Sequence, residues 1–131
     1  MTRLFLAVVG AAYIVLGLWC VLRPAQTSAA IGYRLEPGNG QSEFVTVYGG
    51  LELALGALFL LPLAARDATG WTLLACLVIH VALAVFRLLT LAIYPGTSAT
   101  IHVIAVLEIS IALGSAALYW FTRPALAAGA V

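Results

Sequence analysis

The chain has 131 residues, of which 64% are hydrophobic and only 8% charged, and six arginines against five acids leave a formal net charge of +1. A soluble domain carries about a quarter charged residues, so this chain cannot coat a water-facing surface, and a soluble globular enzyme, a disordered tail and a nucleic-acid binder with a basic face are all excluded. What remains is one small integral membrane domain.

A transmembrane helix needs roughly 20 mostly apolar residues. The first such run, Leu4 to Leu22, carries no charge and stops at Arg23-Pro24. It exceeds the apolar core of about 7–15 residues found in cleaved signal peptides, so it is expected to remain as a helix. Residues 23–42 form the one long connection and are expected outside the membrane. Pro24 suits the first turn of a short interfacial helix over 25–31. Glu36-Pro37-Gly38-Asn39-Gly40 is turn chemistry, and Ser42 stands where an N-cap for the second span is wanted.

The second run, Phe44 to Ala65, is interrupted only by Glu52 and gives a span expected over 43–65. The third, 69–93, contains His80 and Arg87, and the fourth, 97–121, contains His102 and Glu108 before Arg123-Pro124. The Ala-rich tail, 125–131, is expected to fray. Short turns join spans two to three and three to four, which makes those helices antiparallel neighbours. The runs do not alternate apolar with polar, so a β-barrel is excluded. The expected fold is an all-α membrane protein, an antiparallel four-transmembrane-helix bundle occupying 1–131 as one domain.

Arg3, Arg66 and Arg123 fall on one membrane face, and Arg23 and Arg34 on the other. The positive-inside rule therefore puts both termini in the cytoplasm. Trp19, Trp71 and Trp120 lie near span ends and read as interfacial anchors. Cys20 and Cys76 differ in expected depth by roughly 20 Å, too far for a disulfide, which needs Cα atoms within about 7 Å. Both are expected free. No Cys/His spacing resembles a metal ligand set, and no cofactor motif is present.

The informative residues are the charges inside the spans. Each costs at least about 2.5–3.5 kcal/mol at mid-bilayer, so each is expected to face the bundle interior with a partner. Counted from the face opposite the termini, Glu52, Arg87 and Glu108 lie roughly 9–17 Å deep. Arg87 is expected between the two carboxylates, close enough to at least one of them for a charge-assisted hydrogen bond, since one guanidinium has five donors. With both carboxylates ionised the triad carries one excess negative charge, which one bound proton or His80 would offset. Helical spacing puts His80 on the Arg87 face and Tyr48 one turn before Glu52. Gly49, Gly50 and Gly56 are expected as helix-packing positions, with Ala105, Ala112 and Ser115 around Glu108. His80 taken alone reads first as a satisfied core histidine, and His102 is expected at the periphery. Such a triad has a purely structural reading, fixing helix register, beside a functional one.

The stretch Tyr48-Gly49-Gly50-Leu51-Glu52-Leu53-Ala54-Leu55-Gly56 resembles the signature of a bacterial membrane family known as "domain of unknown function 4345". The resemblance implies four apolar helices in the bacterial inner membrane, with Tyr48, Gly49, Gly50, Glu52, Arg87 and Glu108 at matching positions. It implies no activity. The leading expectation is a binding or accessory membrane protein whose partners are the bilayer, a lipid-like ligand, or a membrane protein that includes a second copy of itself. The alternatives are an intramembrane acid–base enzyme and a proton-coupled transporter or channel subunit.

Overall fold

The computed structural model describes residues 1–127, with side chains described through Thr122. Every regular element among the described residues is helical. Helix α1 spans Thr2–Leu22 and the short α2 spans Pro24–Ala30. Helix α3 runs Asn39–Ala64 with a π-helical segment, Val45–Leu51, in its first half. Helix α4 is Thr69–Ile93, entered through a 3₁₀ turn at Arg66–Ala68, and α5 is Ala99–Ala127. Four of these, all but α2, are long and apolar enough to cross a membrane. The expected fraying of 125–131 falls on helix as far as Ala127, and its remainder lies outside the described residues.

Two boundaries differ from the sequence reading. Helix α3 begins at Asn39, so Ser42 lies inside its first turns and caps nothing. The entry is made instead by Gly38, at φ +80°, whose N–H donates to Gln41 Oε1 at 3.3 Å. A left-handed glycine turns the chain, and the Gln three residues on satisfies the backbone donor. At the other end of the chain, α5 does not stop at Arg123-Pro124 but continues to Ala127.

Helix α2 ends in a comparable device. Gly32, at φ +88°, donates to Ala29 O, and Tyr33 N–H donates to Ser28 O at 2.8 Å. These bonds occupy the last carbonyls of α2 and turn the chain back toward the start of α3.

Helix α1 packs mainly on α3, and α4 mainly on α5. The first interface is built on glycines spaced seven apart on both helices. A methyl on Gly10 would stand 2.9 Å from Gly56 O, and one on Gly17 would stand 3.1 Å from Gly49 O. On the other helix, a methyl on Gly49 would strike Val21 Cγ2 at 2.6 Å, and one on Gly56 would lie 2.9 Å from Ile14 N. Backbones this close gain dispersion contact that no larger residue permits. Gly50 departs from the expectation of helix packing: a methyl there would meet nothing within 4 Å, because it faces away from α1.

The buried core is Leu6, Val9, Phe59, Leu73 and Cys76, with Phe5, Leu118 and Tyr119 against it. These residues come from the start of α1, the end of α3, the start of α4 and the end of α5. The core therefore sits at the end of the molecule nearest the chain termini. There Arg3 Nε donates to Pro62 O at 2.9 Å. Only 17–28% of the most apolar stretch of each long helix is buried within the molecule, and Leu4, Val8, Trp71, Phe86, Leu113 and Trp120 all face outward. Cys20 and Cys76 are both free.

Candidate functional site

Away from the core, toward the connection between α1 and α3, the helices carry their polar side chains. Arg87, late in α4, and Glu108, in α5, form a two-pronged ion pair. Nε donates to Glu108 Oε2 at 2.7 Å and Nη2 to Oε1 at 2.9 Å. The side chains are only 25% and 13% exposed. The planar guanidinium matches both carboxylate oxygens at once, the strongest arrangement such a pair adopts. Thr90 Oγ1 donates to Arg87 O at 3.0 Å, one turn along the same face.

Glu52 lies on the facing helix pair, directly after the π-helical segment. The β-branched Val45, Thr46 and Val47 crowd an ordinary α turn, and Gly49-Gly50 offers no side chain to hold it closed. The widened turn leads straight into Glu52. Its Oε2 is buried and has no hydrogen-bond partner among the described residues. Glu108 is within its electrostatic reach. Arg87 thus makes the expected charge-assisted bond to at least one carboxylate, Glu108, and no hydrogen bond joins it to Glu52 among the described residues. Its Nε and Nη2 edge is committed to one carboxylate, and the glycine interface turns α3 toward α1.

His80 sits deeper, at 0% exposure. Its Nδ1 donates to Cys76 O at 2.8 Å, since a carbonyl only accepts, and its Nε2 shares a hydrogen bond of 3.0 Å with the Tyr13 hydroxyl. The imidazole also packs against the rings of Tyr13 and Phe59. Both ring nitrogens are occupied, so His80 is a satisfied core histidine that ties α1 to α4. Cys76 Sγ approaches Ser115 Oγ at 3.9 Å, and Ser115 Oγ donates to Ile111 O. His102 is exposed and bonded only to Ser98 O, one turn back on α5.

Tyr48 lies within electrostatic reach of Arg87, and its hydrogen bond is to another tyrosine. Its hydroxyl meets the Tyr33 hydroxyl at 3.0 Å, and its ring stacks on Phe44 with centroids 4.8 Å apart. Tyr33 stands edge-on to both rings. Tyr33 and Phe44 escaped the sequence reading, as did Tyr13 as the partner of His80. The four-residue spacing of Phe44 and Tyr48 was a usable sign of one aromatic face. Nothing in the chain marked Tyr33, which a turn brings back from the α2–α3 connection.

No group of three or more metal-ligating side chains gathers among the described residues. The site therefore combines a closed ion pair, an unpartnered buried carboxyl oxygen and, one turn above it, an aromatic cluster. A family model described as "Domain of unknown function (DUF4345)" matches residues 1–121. No curated protein and no solved structure matches the chain.

Proposed function

The chain belongs to the DUF4345 family, and from that premise we propose that it is a small multi-pass protein of the bacterial inner membrane that binds a lipid-like ligand through Glu52. The four long helices form an antiparallel bundle with both termini in the cytoplasm. Glu52, Arg87 and Glu108 then lie within the outer half of the bilayer.

One observation carries the reading: the buried, unpartnered Oε2 of Glu52. Leaving such an acceptor unsatisfied costs about 1–3 kcal/mol, and a membrane interior supplies few donors to relieve it. A ligand hydroxyl or amine would. Because Glu108 is already satisfied by Arg87, the ligand needs a donor rather than an anionic head. Its apolar body would lie along the outward-facing hydrocarbon of the helices.

Binding fits better than catalysis. His80 is engaged at both ring nitrogens and Arg87 holds Glu108, so Glu52 has no second free acid or base beside it. Acid–base turnover needs such a pair.

The test is native mass spectrometry of protein gently extracted from its own membrane, comparing wild type with Glu52→Gln. Glutamine keeps the shape but weakens the acceptor. A bound apolar molecule present in wild type should be retained roughly tenfold less in the variant, the value of one good hydrogen bond. Equal retention, or wild type carrying nothing but solvating phospholipid, overturns the proposal.

A further inference from the structure

The aromatic cluster borders a cavity that the Glu52 site does not use. It has a volume of about 340 Å³ and is lined chiefly by Tyr33, Leu35, Glu43, Phe44, Val47 and Tyr48. We propose that this groove seats the ammonium end of a zwitterionic phospholipid headgroup.

The chemistry of the lining selects the occupant. Tyr33 stands at 88° to Phe44 and 73° to Tyr48, with centroids 6.5 and 5.8 Å away, so its ring makes a corner with the stacked Phe44–Tyr48 pair. Ring faces carry negative quadrupole potential, which attracts a cation and repels an anion. Glu43 adds a carboxylate to the same lining. It is exposed, and among the described residues it has no ion-pair partner. Phe44 is buried against Tyr48, so the tyrosine rings and the Glu43 carboxylate supply the groove's preference for an ammonium over a bare phosphate.

Position and the next residue identify the ammonium as a headgroup rather than a free amine. The groove lies where α3 emerges from its apolar stretch into the α2–α3 connection, the depth at which headgroups and tyrosine rings reside. Leu35 and Val47 add apolar side chains to the lining, and Val47 is exposed on α3. Arg34 follows Tyr33 in the chain, is exposed, and is likewise without an ion-pair partner among the described residues. A phosphodiester beside a bound ammonium would find that guanidinium close by.

The experiment places the protein in nanodiscs of equal parts phosphatidylethanolamine, phosphatidylcholine and phosphatidylglycerol, and counts retained lipids by native mass spectrometry. Wild type should keep the two ammonium lipids over phosphatidylglycerol by roughly two- to fivefold, the factor that one exposed cation–π contact supplies. Glu43→Gln and Tyr33→Leu should each bring that ratio toward one. Both positions are exposed, so folding is expected to survive, and circular dichroism checks it. Val103→Ala, on the exposed face of α5 and outside the groove lining, should leave the ratio unchanged. A second measurement needs no variant: magnetisation transfer from choline N-methyl protons to protein aromatic protons. Absence of that transfer, a wild-type ratio of one, or a preference that survives in either groove variant overturns the proposal.

Discussion

Two glycines six residues apart on α3 should respond oppositely to the same substitution. Gly56→Ala places a methyl 2.8 Å from the side chain of Ile14 and 2.9 Å from its backbone nitrogen. The side chain has room to rotate, but the backbone does not, so α1 and α3 must part locally. Overpacking of this kind costs about 1–3 kcal/mol, and the separation also loses dispersion along the glycine faces. Gly50→Ala meets nothing within 4 Å. Both substitutions share the gain of replacing a helical glycine, about 0.5–1 kcal/mol, and that gain cancels in the comparison. The difference between the variants is therefore the overpacking cost alone, about 1–3 kcal/mol, with Gly50→Ala at or above wild-type stability. Reversible unfolding in mixed detergent micelles, followed by tryptophan fluorescence, measures both. Equal stability of the two variants would refute the close approach of α1 and α3.

Arg87→Met should strand Glu108 and lower stability by about 3–5 kcal/mol, whereas combining it with Glu108→Gln should recover most of that loss. A double-mutant cycle in the same micelles checks it, and a single variant as stable as wild type would deny the ion pair any energetic role. Tyr13→Phe should remove the partner of His80 Nε2 and cost about 1–3 kcal/mol. Thermal unfolding checks that, with Tyr119→Phe, in the same bundle but with no hydroxyl bond to His80, as the reference.

Much of the layout was legible because hydrocarbon length is a one-dimensional property. Runs of apolar residues bounded by Arg23-Pro24, Arg66-Asp67 and Tyr94-Pro95-Gly96 give four long helices within a few residues of those in the structure. Depth is one-dimensional too, so counting along the spans placed Arg87 and Glu108 at comparable levels. Rotation about the helix axis is not. Which way Glu52 faces depends on α1 and α3 meeting through Gly10, Gly17, Gly49 and Gly56, and a list of small residues does not say which pairs with which. For the same reason Gly49 and Gly50, adjacent in the chain, divide into one packing glycine and one outward-facing glycine. The π-helical segment was hidden as well, because an almost uniformly apolar run has no polar stripe from which to read 3.6 or 4.4 residues per turn. Tyr33 joins Tyr48 only through the turn at Gly32, a contact that no periodicity encodes.

The pairing of α1 with α3 has a consequence for how the molecule is made. Its four interlocking glycines and the bond from Arg3 to the Pro62 carbonyl all lie within the first 64 residues. A ribosome therefore completes one self-contained helix pair before any of α4 exists. The second pair is equally local in its own bonds, with Arg87 reaching Glu108 and Cys76 approaching Ser115. The halves are joined by Leu6, Val9 and Phe59 meeting Leu73 and Cys76, by Phe5 against Gly114, and by Tyr13 and Phe59 against His80. The order of synthesis thus allows the first pair to form before the second. The later half arrives at a finished apolar surface, and the Tyr13–His80 bond is the stitch that closes the seam.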